Sequence, residues 1–540
     1  MSSSTSIDWQ PLPEYTWLIA VGSLAAFLFG YATGANDVAN AFATSVGSKA
    51  LTLLQAVCIA GVFEFLGAML LARVSTDVIA GKIADVDVFT TDLAGPPAYA
   101  YGMVCALTIG GFWQLWASWA GYNVSATQSI IGGIIGFSMV YGGAGAVNWA
   151  TPNPDNWPPY NGVVPVVVSW VLCPLLTATS SIIIFGTLRA VVLRSPNAVS
   201  RAYWVLPIAV FLTGWLCSFF VMAKGAAKTL VEKHPTWTNK TFAWISAICG
   251  AVCMVFALML IPFIKKRVAT MEAEDEASNT ADFKSAAAGV ESKSNDVENG
   301  QDMSKPPVAA APVSGVDSAD KSSRGQQLKD ALTKGVKYDI FEVIETDATV
   351  SGIHSRAEKF DRRSEYVFSF LQVFSATCVS FSHGAGEVGY MAGPLTAIWD
   401  VISFSLLLLS WKTGEVSKKV DPKTWILVYT AFSLVIGLAT YGYNVMRAMG
   451  TEICKLTPSR GFSAELSTAT VILMASQWGL PTSSSQAITG GIIGVGLLEG
   501  TAGVNWVFIV KQFMAWVGTL VVVGLGTAGL YAQGVYSPCI

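Results

Sequence analysis

Two clusters of hydroxyl and amide side chains share the same sequence surroundings in distant parts of the chain. They are Asn123-Val124-Ser125-Ala126-Thr127-Gln128 and Pro481-Thr482-Ser483-Ser484-Ser485-Gln486, and a Gly-Gly-Ile-Ile-Gly run follows each. Hydroxyls and free backbone N–H groups at a helix N-terminus bind anions, because the unpaired donors and the helix dipole both point at the ligand. Two such termini facing each other can hold a tetrahedral oxyanion. Ordinary N-capping combined with close helix packing is the alternative interpretation.

Acidic and amide side chains form a second pair of motifs, each within an apolar run. The first contains Asn36, Asp37 and Asn40, and the second contains Glu387. An ionised carboxylate in hydrocarbon is costly, so it normally faces the interior of a helix bundle and has a partner. Carboxylate and amide oxygens are hard ligands that suit a small cation such as Na⁺. The alternative is that Asp37 or Asn40 caps a helix end at the membrane surface.

The four motifs together form an internal repeat. Gly34-Ala35-Asn36-Asp37-Val38 corresponds to Gly384-Ala385-Gly386-Glu387-Val388, and the two hydroxyl clusters correspond to each other. The separation from Asp37 to Ser125 is 88 positions, and that from Glu387 to Ser483 is 96. Internal repeats in membrane proteins are typical of transporters, which bind substrate near the bilayer midplane between interrupted helices. The repeat therefore favours a carrier.

Three further titratable side chains lie in apolar segments. Glu64 and Glu465 are candidate proton or cation sites, although either can instead hydrogen-bond across helices. His383 directly precedes the second acidic motif, and for a lone histidine a satisfied hydrogen-bonding role is favoured over a proton relay. The sequence contains no visible nucleophile–base pair or metal-ligand spacing, so we predict neither an enzyme nor a bound cofactor.

Long apolar segments must carry these motifs. The 540 residues are 52% hydrophobic and only 13% charged, whereas about a quarter of the residues of soluble proteins are charged. Runs of the length needed to cross a bilayer, about 20 residues, and shorter Gly- and Ser-rich stretches at 123–147 and 464–498 predict about a dozen crossings. The two shorter stretches suit re-entrant hairpins or broken helices better than full spans. The net charge of −3 gives no indication of a nucleic-acid partner.

A change in composition divides the chain into three parts. Residues 265–363 are rich in Ser, Ala, Asp, Glu and Lys, and they cannot bury enough apolar surface to offset their chain entropy. We therefore expect a largely disordered loop between a first membrane half (1–264) and a second (364–540), with separate spans near 365–385 and 391–410. Basic residues beside the spans place the loop in the cytoplasm by the positive-inside rule.

The four motifs resemble the signatures of the inorganic phosphate transporter family, the sodium–phosphate symporters. The residues that carry the resemblance are Gly34 through Asn40, Ser382 through Leu395, and the two hydroxyl clusters. The resemblance implies an all-α integral membrane protein with about 12 transmembrane helices in two inverted repeats. In that fold two re-entrant helical hairpins meet at a central phosphate, and sodium ions bind beside it.

The resemblance also implies roles for individual residues. Phosphate would be bound by Asp37 and by side chains of both clusters, namely Ser125, Thr127, Gln128, Thr482, Ser483, Ser484, Ser485 and Gln486. Sodium would be bound by Asn36, Asp37, Asn40 and Glu387. Glu64 and Glu465 stand where family members carry acidic residues linked to transport.

The second acidic motif departs from the family pattern. Gly386, Glu387 and Tyr390 stand where the family has Asn, Asp and a later Asn, and Ala126 replaces a usual hydroxyl residue in the first cluster. Glu387 keeps the negative charge, but two amide ligands are lost. One cation site is then lost, altered in stoichiometry or converted to proton coupling.

Together these observations predict a multi-pass protein of the cell membrane that carries inorganic phosphate by symport with Na⁺. One rival hypothesis keeps the fold but couples transport to H⁺ or moves another oxyanion. A second is a phosphate sensor or receptor that binds without transporting. The expected partners are phosphate, Na⁺ and the lipid bilayer, and a homodimer is left open.

Overall fold

Apolar helices make up most of the computed structural model, which describes residues 15–73, 76, 79, 81, 83–91, 94–152, 159–225, 230, 234–295, 338–407, 421–477 and 482–537. The helices of the first half are α1 (Trp17–Gly47), α2 (Leu53–Leu71), α3 (Gly95–Ala120), α4 (Ala126–Gly142), α5 (Val163–Leu188), α6 (Ala198–Phe220) and α7 (Asn239–Asn295). Those after it are α8 (Glu342–Thr346), α9 (Ala348–Arg356), α10 (Arg362–Leu407), α11 (Thr424–Tyr441), α12 (Tyr443–Arg447), α13 (Pro458–Gln477), α14 (Ser484–Leu497) and α15 (Trp506–Tyr536). Two-residue strands, β1 (Thr151–Pro152) and β2 (Tyr160–Asn161), pair antiparallel with Thr151 opposite Asn161.

Eight helical stretches among the described residues are long and apolar enough to cross a membrane. They are 17–47, 53–71, 126–146, 163–193, 198–223, 239–277, 424–441 and 506–536. These stretches support the predicted helical, multi-pass membrane protein. The total of about twelve crossings and the re-entrant path of the two hairpins stay predictions.

One expected break in the helical structure is absent. The runs near 365–385 and 391–410 were expected to form separate spans, but their described residues lie in the single 46-residue helix α10. Pro394, which belongs to the second run, lies inside this helix. A proline interrupts only one backbone hydrogen bond and can kink a helix rather than end it, which neighbouring helices tolerate in a membrane.

The chain packs as two units, residues 1–257 with 333–540, and residues 258–332. The first unit contains the described residues of all four motifs. In the second unit, the described residues continue helix α7, and Arg267 pairs with Glu274 at 3.1 Å. Helix α7 runs through the predicted boundary at 264, and residues 296–337 of the predicted loop lie outside the described part of the chain.

Matched glycines bring the helices of one repeat against helices of the other. A Cβ atom added at Gly34 in α1 would lie 1.9 Å from the Leu434 carbonyl oxygen in α11, and one at Gly384 in α10 would lie 2.1 Å from the Glu64 carbonyl oxygen in α2. An added Cβ atom at Gly136 in α4 would likewise meet the backbone of Gly524 in α15, and one at Gly494 in α14 would meet the backbone of Ala178 in α5. The repeat seen in the sequence is therefore also a repeat of helix contacts, and each contact joins the two halves.

Replacing Gly384 by alanine is expected to lower the thermal unfolding midpoint of the purified protein. The added methyl group must displace the backbone of α2, and overpacking of this kind costs about 1–3 kcal/mol. Gly386→Ala, two residues further along the same helix, is the matched control because nothing lies within 4 Å of its added Cβ. Equal midpoints for the two variants, measured by fluorescence-detected size exclusion after heating, would contradict the close approach.

A charged network anchors the segment that precedes α10. The Glu358 carboxylate accepts hydrogen bonds from Arg189 Nε at 2.7 Å and from Arg194 Nη2 at 2.9 Å, and Arg189 Nη1 donates to the Leu498 carbonyl oxygen at the end of α14 at 2.6 Å. The Arg194 guanidinium lowers the pKa of the Glu358 carboxyl against the opposing effect of burial, and Arg189 adds to this effect. The network ties α5 and α14 to the segment between α9 and α10.

A buried ion pair lies beside this network. Arg460 at the start of α13 is fully buried, and its Nη2 atom lies 2.6 Å from Glu499 Oε1. The guanidinium carbon is 5.3 Å from the ring centroids of both Phe185 and Phe360. Arg460 also donates to the Glu358 carbonyl oxygen at 3.1 Å. Charge, ring contacts and hydrogen bonds together hold Arg460 at one end of α14.

Candidate functional site

The second hydroxyl cluster touches the acidic motifs of both repeats. The Ser484 hydroxyl donates to Glu387 Oε1 at 2.9 Å. The Ser485 hydroxyl lies 3.2 Å from Asp37 Oδ1 and 3.1 Å from the Val124 carbonyl oxygen, so its proton serves one of these acceptors at a time. Asp37 and Glu387 are 1% and 4% exposed. Motifs more than 300 residues apart in the sequence therefore meet in one buried place.

Asn40 joins the two clusters. Its Nδ2 atom donates to the Ser485 hydroxyl at 3.0 Å, and its Oδ1 atom accepts from Asn123 Nδ2 at 2.8 Å. The weaker contact of Nδ2 with the Ser484 hydroxyl is 3.4 Å long. Asn40 therefore lies between the start of α4 and the start of α14.

Both shorter helices begin at the predicted hydroxyl clusters with the same cap. The Ser125 hydroxyl accepts from the Gln128 backbone N–H and the Ser483 hydroxyl from the Gln486 backbone N–H, each at 3.3 Å. Such caps satisfy one of the unpaired N–H groups of each helix. The side-chain carbonyl oxygens of Gln128 and Gln486 are buried without a hydrogen-bond partner among the described residues. The repeat thus places two matched amides with available acceptor oxygens at the two helix starts.

The remaining cluster residues differ in their contacts. Thr127 is buried and interacts with the hydroxyl of Tyr390, which comes from the second acidic motif. Thr482 is only half-buried. The replacement of an amide by Tyr390 therefore adds a hydroxyl contact between α10 and the first cluster.

His383 lies among three buried carboxylates. Its Nδ1 atom is 3.3 Å from Glu64 Oε1, and its Nε2 atom is 3.8 Å from Asp37 Oδ2 and 3.7 Å from Glu387 Oε1. Among the described residues, no Lys or Arg forms an ion pair with any of these three acids, and Asp37 Oδ2 and Glu387 Oε2 have no hydrogen-bond partner. Ligand atoms of Asp37, His383 and Glu387 lie within 4.8 Å of one another. The centre carries more negative than positive charge, which favours cation binding.

Glu465 has a separate polar environment. Its carboxylate accepts hydrogen bonds from Thr44 Oγ1 at 2.5 Å, Ser45 Oγ at 3.2 Å and Gln372 Nε2 at 3.4 Å, and also from Ser375. These partners belong to α1 and α10, the helices that carry the acidic motifs. The described contacts bring Glu64 to the centre through His383, whereas Glu465 is held by hydroxyl and amide groups away from it.

Asn36 contacts the backbone of the first cluster with both ends of its amide. Oδ1 accepts from the Val124 N–H at 2.8 Å, while Nδ2 donates to the Tyr122 carbonyl oxygen at 2.9 Å and to Ser118 Oγ at 3.0 Å. The Asn36 amide therefore holds the protein backbone, and its predicted role in sodium binding stays a prediction.

Some residues of this region were not found from the sequence. Gln512 and Trp516 in α15 contact the backbone of Asn123. Their spacing of one helical turn was the only available signal, and such spacing is common on any packed helix. Tyr390 was noted only as a lost amide, because its contact with Thr127 joins residues far apart in the sequence.

The fold and the site define a class: a multi-pass helical membrane protein with a buried polar centre at the junction of two repeats, as in secondary transporters. Residues 33–527 match the model of the phosphate transporter family. The chain belongs to this family, as its similarity to curated relatives also shows. It therefore belongs to a family of transporters rather than of enzymes or sensors.

Curated relatives match along nearly the whole chain. The phosphate-repressible phosphate permease pho-4 of Neurospora crassa is 31% identical over 95% of this chain and 96% of its own length. The inorganic phosphate transporter 2-1, chloroplastic, of Arabidopsis thaliana is 30% identical over 92% of this chain and 70% of its own length. Sodium-dependent phosphate transporter 1 of Mus musculus is 25% identical over 96% of both chains.

A solved structure shares the fold. It is described as the sodium-dependent phosphate transporter, and it superposes with a TM-score of 0.66 at 24% identity, covering 97% of this chain and all of that one. The helical architecture of this chain is therefore that of a structurally characterised transporter.

Proposed function

We propose that this chain carries inorganic phosphate across a membrane together with Na⁺. The observation that carries the proposal is the meeting of Asp37 and Glu387, the acids of the two repeats, at neighbouring serines of one helix start. Hydroxyls and helix N-termini suit an oxyanion, and the carboxylates suit cations. Relatives described as sodium-dependent phosphate transporters support the choice of ion.

The charges of the site supply a mechanism of coupling. Phosphate is an anion, and the centre already holds three carboxylates, beside which His383 is the one basic side chain among the described residues. Adding phosphate without a cation would bury further uncompensated negative charge, which is strongly unfavourable in a low dielectric. Cations bound at the carboxylates favour phosphate binding, and by reciprocity phosphate favours cation binding. This mutual dependence is what symport requires.

The ligands divide by chemistry. Asp37 and Glu387 each have one oxygen that accepts no hydrogen bond from the described part of the chain and that is available to a cation. The phosphate oxygens would accept from the hydroxyls of Ser484, Ser485 and Thr127 and from the first backbone N–H groups of α4 and α14. The amides of Gln128 and Gln486 offer an oxygen to the cation and N–H groups to the phosphate.

The predicted topology is part of the proposal. The stretches 123–147 and 464–498, which contain α4 and α14, would be re-entrant hairpins in a fold of about twelve crossings with two inverted repeats. The two halves would be 1–264 and 364–540. The intervening residues 265–363 would form a cytoplasmic loop. The matched glycine contacts between the halves support this arrangement. We propose the cell membrane as the location, although one relative is described as chloroplastic.

The function is tested by phosphate uptake into liposomes that contain the purified protein. An imposed inward Na⁺ gradient is expected to drive accumulation of radiolabelled phosphate, and collapsing the gradient with a sodium ionophore should stop it. Liposomes without protein and liposomes with sulfate in place of phosphate are the controls. Uptake that follows only a pH gradient would replace Na⁺ by H⁺, and phosphate binding without uptake under any gradient would contradict transport.

The H⁺-coupled alternative is favoured by one observation. His383 lies beside three acids. Glu465, by contrast, lies beside hydroxyl groups. The arms of the uptake experiment with separate Na⁺ and pH gradients distinguish the two drivers in a single preparation.

A further inference from the structure

Helix α15 holds the backbone of Asn123 at both of its polar groups. The Asn123 N–H donates to Gln512 Oε1 at 3.2 Å, and the Asn123 carbonyl oxygen accepts from Trp516 Nε1 at 2.9 Å and from Gln512 Nε2. Asn123 and Gln512 are fully buried, and Trp516 is 8% exposed. The Gln512 amide thus binds both the N–H and the carbonyl oxygen of Asn123, as the backbone of a neighbouring β-strand would.

Helix α1 holds the same segment through Asn36, as described above. Side chains of α1 and α15 therefore bind the Tyr122 carbonyl oxygen, both backbone groups of Asn123 and the Val124 N–H, while Ser485 of α14 donates to the Val124 carbonyl oxygen. At the two ends of this non-helical segment, the Tyr122 N–H donates to the Ala117 carbonyl oxygen at 2.9 Å and the Ser125 carbonyl oxygen accepts from the Ser129 N–H at 3.0 Å. The buried backbone groups between these two bonds need other partners. Because Ser125 caps α4 directly afterwards, these partners fix where the first helix start lies.

The second repeat lacks these side chains. Gly136 and Gly132 approach Gly524 and Leu520, while their counterparts Gly494 and Gly490 approach Ala178 and Pro174. The contacted residues of α15 are therefore 346 positions after those of α5 (524 − 178 and 520 − 174). With this offset, Gln512 corresponds to Val166 and Trp516 to Trp170. Gly386 corresponds to Asn36.

The consequence is an unequal pair of half-sites. Neither Val166 nor Gly386 has an amide to pair with a backbone. The indole nitrogen of Trp170 is buried without a hydrogen-bond partner among the described residues, whereas that of Trp516 is used. The first helix start is therefore held by a clamp of two amides, Asn36 and Gln512, and one indole, Trp516. At the corresponding positions of the second repeat, both amides are replaced and only the indole is kept.

We propose that Gln512 and Trp516 are positioning residues for the first phosphate half-site. This inference rests on the proposed function. They do not touch the substrate; they hold the Asn123 backbone so that Ser125, Thr127 and the first N–H groups of α4 are in place before phosphate arrives. Ordering a site in advance lowers the entropy lost on binding and raises affinity.

The test is Gln512→Met, which keeps the length of the side chain and removes its amide. We expect the KM for phosphate at saturating Na⁺ to rise about tenfold. The maximal uptake rate should stay within roughly twofold of wild type, because the residues that contact substrate are unchanged. The equilibrium Kd for inorganic phosphate, measured by calorimetry on the purified protein, should rise by the same factor.

The matched control is Thr519→Val on the same helix. Thr519 Oγ1 accepts from Trp113 Nε1 at 2.8 Å, so the variant loses a buried interhelical hydrogen bond that does not involve the first cluster. Its KM should equal that of wild type. An equal rise in both variants, or an unchanged KM in Gln512→Met, would overturn the assignment.

A second variant guards against misfolding. Trp516→Phe keeps an aromatic ring and removes one hydrogen bond of the clamp, so the expected rise in KM is smaller, about threefold. If Gln512→Met does not fold, an unchanged KM in Trp516→Phe overturns the inference. Wild-type protein that neither binds nor takes up phosphate would refute the proposed function itself, whereas normal wild-type uptake with unchanged variants refutes only the positioning role.

Discussion

Replacing Asp37 by asparagine is expected to abolish Na⁺-driven phosphate uptake, lowering the rate by roughly 100-fold or more. The carboxylate is 1% exposed, lies 3.2 Å from the Ser485 hydroxyl, and has one oxygen that accepts no hydrogen bond from the described residues. An amide of nearly the same shape keeps the hydrogen bond but removes the charge that attracts the cation. Without the cation, phosphate binding adds uncompensated charge to the site. Uptake by proteoliposomes under a fixed Na⁺ gradient measures the loss.

Asp421→Asn is the control for this variant. Asp421 pairs with Arg73 at 2.8 Å, but their side chains are 81% and 52% exposed, so the pair contributes little. Its uptake should match wild type. Membrane insertion and the thermal midpoint of Asp37→Asn should be retained, which separates lost transport from lost protein. Wild-type uptake by Asp37→Asn would remove this residue from the mechanism.

Replacing Arg460 by methionine is expected to destabilise the fold by about 3–5 kcal/mol. The substitution leaves the Glu499 carboxylate, which is only 9% exposed, without its buried partner. It also removes the guanidinium from its contacts with the rings of Phe185 and Phe360. The thermal midpoint in detergent should fall by several degrees.

Two further variants identify the cause of that loss. Arg460→Met combined with Glu499→Gln should recover part of the midpoint, because no unpaired charge is then buried. Arg73→Met, which breaks the exposed pair, should leave the midpoint nearly unchanged. If Arg460→Met and Arg73→Met shift the midpoint equally, the buried pair does not stabilise the protein.

The helix starts could be predicted from the sequence because the same residues both form and mark them. Ser125 and Ser483 are hydroxyl residues before a Gly-rich run, and both accept a backbone N–H as caps. The acidic motifs could be found because the chain repeats them. Local chemistry and self-similarity were therefore sufficient for the most polar parts of the site.

Contacts between distant segments could not be predicted in this way. His383 was interpreted as a lone histidine, but its neighbours Glu64 and Asp37 lie on other helices more than 300 positions away. Gln512 binds backbone atoms, and any residue type except proline would present the same groups at position 123. The continuity of α10 through Pro394 depends on its packing against neighbouring helices, which a local sequence rule does not include.

The crosswise glycine contacts have a consequence for biosynthesis. Helix α1 packs through Gly34 against the backbone of α11, and α2 packs against Gly384 of α10. While the ribosome is still making the second half, α1 and α2 therefore lack these partners. Neither half can reach its final packing until the other has entered the bilayer. The newly made first half therefore stays incompletely packed in the membrane until the second half is inserted. Quality control of its fold can be completed only after the whole chain has been translated.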